Sequence, residues 1–235
     1  MTMPTLPRTK KVCCPECGKE FDPKPQQIEK QKLILAEGLD AHGFLFRASR
    51  ALEKIDIQIF NFRGINELRL FIENLATMEN FSKVKTLVIA RDAETNVQSA
   101  VQSIQSALKN AENVDLPIPT EPFQFTSTNV MKTAFILFPG LGKNRKCRPG
   151  TLEDLCLETV ADDPLLNCID TFLECAQKNQ ENNEEIKHAW KSKLHAYLAG
   201  KDDHAGKKLG VVARNGVWKW DHPAMAPFKK IIQEM

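Results

Sequence analysis

Between Gln31 and Gly140 the apolar residues switch repeatedly between two spacings. KLILAEG (32–38) is a short apolar run ending in Glu-Gly, which predicts a buried strand meeting a turn. DAHGFLFRASRALEKI (40–55) then places Phe44, Leu45, Ala48, Leu52 and Ile55 at helical intervals, with Asp40 as its cap. DIQIFNFRG (56–64) alternates as a strand and stops at a glycine, and INELRLFIENLATM (65–78) turns helical again through Leu68, Phe71, Ile72 and Leu75. VKTLVIARD (84–92) is a β-branched apolar run closed by Arg-Asp. NVQSAVQSIQSALKNA (96–111) is an amphipathic helix with Val97, Val101, Ile104 and Leu108 inward, and MKTAFILFPG (131–140) supplies a fourth buried strand.

That order predicts an α/β fold, a Rossmann-like parallel four-stranded sheet covered by helices on both faces. Beyond it, helices are expected over 151–160, 164–177 and 183–199, with a polar joint at 179–185. The last segment should turn through Gly216 and end in a short helix from about Pro223, with Trp218 and Trp220 alternating in a strand-like stretch over the core. The chain divides into a polar tail over 1–30, an α/β domain over 31–160 and a mainly helical C-terminal part over 161–235 packed on the same domain.

Composition narrows this picture little. Hydrophobic residues are 42% and charged residues 26% of 235, ordinary values for a globular chain, and the formal net charge of +2 is too small to argue for nucleic acid by itself. No run of about 18 apolar residues predicts a membrane span. The start MTMPTLPRTKK has no apolar stretch behind its basic residues, so no secretory signal is expected. Seven cysteines, an odd and scattered set, fit a reducing cytoplasmic compartment better than a disulfide framework.

The chemistry concentrates where strands end. Glu37 closes the first strand and Asp40 opens the next helix; Asp92 and Glu94 close the third strand; Glu153 and Asp154 follow the fourth. On an extended backbone residues i and i+2 face one side, so Asp92 and Glu94 are expected to share an ion. Hard oxygen donors from several loops suit Mg²⁺ or Mn²⁺ rather than zinc. Carboxylates at helix starts also cap amides and meet the positive end of the dipole, which explains any one of them taken singly.

The segments EGLDAHGFL (37–45), VIARDAE (88–94) and FPG…PGTLEDL (138–155) resemble the TOPRIM domain, and most of all compact bacterial TOPRIM-like proteins of unknown function related to the OLD-family nucleases. The resemblance covers about residues 31–235. It implies that Glu37 is a general acid/base or metal ligand, and that Asp92 and Glu94 are the first and second metal ligands, with glutamate at 94 where aspartate is commoner. Asp40 and Glu153 would be further acids, and Lys193 a catalytic lysine facing phosphate, with Lys191 second. It also implies one or two divalent ions, hydrolysis of DNA or RNA, and an ABC-type ATPase partner in a defence role. Tyr197, the single tyrosine, lies in a helical pattern, which argues against topoisomerase chemistry.

Two other features bear on function. GLGKNRKCR (140–148) lacks the glycine spacing of a nucleotide-binding P-loop, yet Lys143, Arg145 and Lys146 are placed to meet phosphates on a basic loop. CCPECG (13–18) has the form of half a zinc ribbon, with Cys14 and Cys17 as candidate ligands; the rest would come from His204, Cys147 or the second copy of a homodimer. Three readings follow: a metal-dependent nuclease, a non-catalytic interaction module that kept the fold, and a zinc-knuckle nucleic-acid binder.

Overall fold

The computed structural model describes residues 27–180, 186 and 189–235, together with the backbone of 12–13 and 20–21; the side chain of Arg214 is also outside the description. In the N-terminal segment, β1 (Val12–Cys13) pairs antiparallel with β2 (Glu20–Phe21), bracketing the candidate zinc ligands Cys14 and Cys17, which lie outside the described residues.

The main unit alternates β3 (Lys32–Ala36), α1 (Gly38–Ala51), β4 (Ile57–Asn61), α2 (Ile65–Thr77), β5 (Thr86–Asp92), α3 (Val97–Lys109), β6 (Thr126–Ser127) and β7 (Lys132–Phe138). The sheet order is β4-β3-β5-β7-β6. The first four of these strands run parallel, as expected, and β6 adds a fifth, antiparallel, at the edge. Two residues long, β6 is too short to leave a periodic signal. Helices α4 (Leu152–Thr159), α5 (Leu165–Lys178), α6 (Ala189–Ala199), α7 (Leu209–Val212) and α8 (Ala226–Glu234) complete the chain. Among the described residues no helix is long and apolar enough to cross a membrane.

The central strands are apolar on both faces because both faces are covered. Leu33, Leu35, Leu87, Ile89, Phe135 and Leu137 pack with α2 and α3 in one core. Their alternates Ile34, Ala36, Val88, Ala90, Ala134 and Ile136 pack in another with α1, α4 and the C-terminal helices. Tyr197, Trp218, Phe228 and Ile232 belong to that second core, so residues 161–235 complete one face of the sheet.

Three local expectations are corrected. Helix α1 ends at Ala51, because Glu53 takes a left-handed conformation (φ 57°) and the Leu52 and Glu53 amides close on Ala48 and Arg50; Ile55 is therefore exposed. Asp40 sits inside the first turn of α1 and caps no end of that helix. Its Oδ1 accepts the Gly210 amide at 2.9 Å instead. Trp218 is buried, but it lies in a bend and not in a strand.

The Asp40–Gly210 bond marks a close crossing. A Cβ on Gly43 would stand 2.8 Å from Gly210 Cα, so α1 and α7 meet backbone to backbone. Gly43→Ala should overpack this crossing by about 1–3 kcal/mol, lowering Tm on the order of 2–10 °C. Gly64→Ala, whose new methyl meets nothing within 4 Å, should leave Tm nearly unchanged. Calorimetry of the two variants checks this; equal melting would refute the tight crossing.

Candidate functional site

The order of the parallel strands reverses between β3 and β5, and the crevice at their carboxyl ends is the natural place for a ligand in an open α/β sheet. Ala36 is paired with Ala90, so the next residues, Glu37 and Arg91, stand side by side on the α2/α3 face. The Glu37 amide continues the ladder to Ala90 O at 2.9 Å. Glu37 Oε1 accepts the Ile65 amide at the start of α2 at 3.0 Å, and Oε2 lies 3.2 Å from Arg91 Nε. Both atoms of that ion pair are buried and neither completes a well-directed hydrogen bond. Arg91 is only 8% exposed, and its Nη1 donates to Ser103 Oγ of α3 at 2.5 Å.

Asp92 is the next residue on β5 and therefore projects to the opposite, α1/α4 face. Its Oδ1 accepts the Leu152 amide at the start of α4 at 2.9 Å. Burial, then the charge of Glu153, with Glu94 and Glu37 adding, raise its carboxyl to about 8 against the pull of that amide. Glu37 is raised above the usual range as well: burial outweighs Arg91 and the Ile65 amide, and the Glu94 charge adds to the rise.

Glu94 does not share a strand face with Asp92. The strand ends at Asp92, and Glu94 turns into the left-handed region (φ 52°). Its backbone exchanges two hydrogen bonds with Gly150, at 2.9 and 2.7 Å, which ties the loop after β7 to the loop after β5. Gly150 has to be glycine, since its φ is +133° and a Cβ would stand 2.8 Å from Asp154 Oδ2. Asp154 spends its carboxylate in a capping box with Thr151. The charge of Glu153 acts on Asp92. Cys156 on α4, fully buried with its thiol held well above the usual range chiefly by burial, also feels Glu153, Asp40 and Asp92.

Glu37, Asp92, Glu94 and Glu153 thus converge in electrostatic range from loops that are distant in sequence. Asp40 is on the same edge but spends an oxygen on α7. Lys193 is committed elsewhere: its Nζ meets Asp170 Oδ1 at 2.6 Å, tying α6 to α5. Lys191 is exposed on α6. Lys143, Arg145 and Lys146 are exposed on the loop between β7 and α4. Among the described residues no three His, Cys, Asp or Glu side chains are placed closely enough to hold one ion as they stand. The donor chemistry nonetheless fits Mg²⁺ or Mn²⁺, because the carboxylates of Glu94 and Glu153 and the second oxygen of Asp92 are all hard oxygen donors. Arg91 was not singled out from the sequence. Its signal is the pairing register, which becomes readable only once β3 is set beside β5.

The family described as "Protein of unknown function (DUF3226)" matches residues 31–235. No curated protein matches the chain. Among solved structures, the chain is similar to the C-terminal region of the Xanthomonas campestris pv. campestris OLD protein, at 9% identity, over 88% of this chain and 87% of that one, with a TM-score of 0.35. At that score the likeness carries no argument.

The charge crowding has a measurable consequence. A carboxyl raised to about 8 from an ordinary value near 3.8 binds more protons folded than unfolded, so its effect on stability worsens as pH rises through that window. Asp92→Asn, which keeps an acceptor for the Leu152 amide, should raise Tm at pH 8 and change it little near pH 4. Scanning calorimetry at the two pH values is the check; an equal effect at both would contradict the raised carboxyl.

Proposed function

Since the chain belongs to the DUF3226 family, we propose its function from the site: a divalent-metal-dependent, TOPRIM-like hydrolase of nucleic-acid phosphodiesters. What supports this reading is the convergence of Glu37, Asp92, Glu94 and Glu153 at the switch point of the sheet, where like charges crowd the half-buried Asp92 carboxylate.

In this reading Asp92, Glu94 and Glu153 would hold one or two Mg²⁺ or Mn²⁺ ions. Such an ion supplies the charge that stabilises a reacting phosphate and lowers the pKa of water. Glu37 is the proton-handling group: its carboxyl is fixed by the Ile65 amide and Arg91, and burial raises its pKa toward the range useful for acid–base work. Arg91 orients it. Gly150 and its two bonds to Glu94 hold the loop after β7 against the site. Lys193 has no part here while it pairs with Asp170, and a licensing ATPase partner remains part of the proposal only.

Two observations favour a second reading, a non-catalytic module that kept the fold. Arg91 already supplies a positive charge beside Glu37, and Asp92 already has a partner in the Leu152 amide.

Cleavage of mixed DNA and RNA with Mg²⁺, Mn²⁺ or EDTA separates the two. We expect metal-dependent cutting that Glu37→Ala reduces roughly 100-fold or more, the scale of a lost acid–base group, and that Asp92→Ala abolishes by removing a ligand. Absence of both cutting and calorimetric Mn²⁺ binding would sink the hydrolase and leave the module. Mn²⁺ binding without cutting would point to a missing partner.

A further inference from the structure

A cleft of about 1060 Å³ opens beside the acidic edge, at the top of the size range of small-molecule pockets. One wall begins at Val97 and Gln98, in the first turn of α3, a few residues beyond Glu94. The loop after β7 forms another through Leu141, Arg145 and Lys146, and α8 closes it with Lys230. Among the described lining residues Arg145, Lys146 and Lys230 are the cations and Glu121 the acid, an excess of two positive charges.

The cationic loop is built rather than loose. Gly142 N donates to Lys146 O at 2.8 Å, Arg145 N to Gly142 O at 2.9 Å, and Lys146 N to Asn144 Oδ1 at 3.0 Å. This turn forces Arg145 into the left-handed region, at φ 59°. Phe123 is held at φ 60°, an unfavourable value for a bulky residue, with its amide on Phe135 O and its ring edge-on to Phe228 at 5.1 Å. Strain of this kind persists where surrounding structure imposes it, and it collects at ligand clamps. Here it leaves a half-buried aromatic ring in the lining of a basic cleft. Cys147, also in the lining, has its thiol pushed up to about 11 by burial and the Glu121 charge, so the cleft is not a thiolate site.

We infer that this cleft binds a single strand of nucleic acid, with Arg145, Lys146 and Lys230 on its phosphates and Phe123 stacking on a base. A duplex is read by an element that protrudes into its groove, whereas a walled, concave, basic cleft with an aromatic ring matches an unpaired strand. The inference rests on the phosphodiester reading of the neighbouring acids and specifies the form of the substrate: the strand runs along the cleft toward Glu94.

Fluorescence anisotropy of the full chain with a labelled single strand and the matching duplex, in EDTA and across a salt series, tests it apart from catalysis. The single strand should bind more tightly than the duplex. Arg145→Ala, Lys146→Ala and Lys230→Ala should each weaken binding and flatten the plot of log K against log salt by about 0.7. Phe123→Leu should weaken binding roughly 5-fold or more with the slope unchanged. The three cations are exposed, and matched melting curves verify that those variants fold. Equal or tighter duplex binding, no strand binding at low salt, or a triple variant with wild-type affinity would each overturn the inference. If the strand binds as expected while no metal-dependent cutting occurs, the cleft stands and the hydrolase reading falls.

Discussion

The register of β3 against β5 decides what the carboxyl edge of the sheet can be. With Ala36 opposite Ala90, a glutamate and an arginine leave their strands together on one face, and the following aspartate faces the other way. A slip by one residue would bring Glu37 against Asp92 and send Arg91 into the other core. Both strands are apolar on both faces, so what opposes that slip is fit: small Ala36 and Ala90 lie in one core and large Leu35 and Ile89 in the other. The packing of the sheet interior therefore also fixes the charge pattern at its edge.

The edge shows how helix starts compete for carboxylates. Ile65 at the start of α2 draws on Glu37, Leu152 at the start of α4 on Asp92, and Gly210 at the start of α7 on Asp40. Each bond gives an amide left over at a helix start an acceptor and favours the ionised acid, yet burial and mutual repulsion still win at Asp92 and Glu37. An edge of this kind holds its carboxylates in place at the expense of its own stability. That combination is common where function, and not folding, selects the residues.

Much of this was legible in the sequence. The four parallel strands, the helices between them and the carboxylates at strand ends follow from apolar spacing and from residues such as the Glu37–Gly38 pair. What escaped has local physical causes. β6 and α7 are too short to show a period. Glu94 was placed by alternation, which stops once the backbone turns left-handed to reach Gly150. Asp40 looked like the cap of its own helix and caps another. Arg91 and Lys193 have partners that are remote in the chain, Glu37 and Asp170, and no short-range pattern reveals such pairings.

The backbone crossing of α1 and α7 has a consequence for motion. With no side chain between Gly43 and Gly210, and the Gly210 amide bound to Asp40, there is no soft layer in which the two helices could slide. They open together or not at all, so the Gly210 amide should exchange its hydrogen only when the first helix comes loose from the sheet. The C-terminal part and the helix that follows Glu37 therefore form one cooperative unit of unfolding. A stretch some 170 residues further along the chain is thus tied to the helix that follows Glu37.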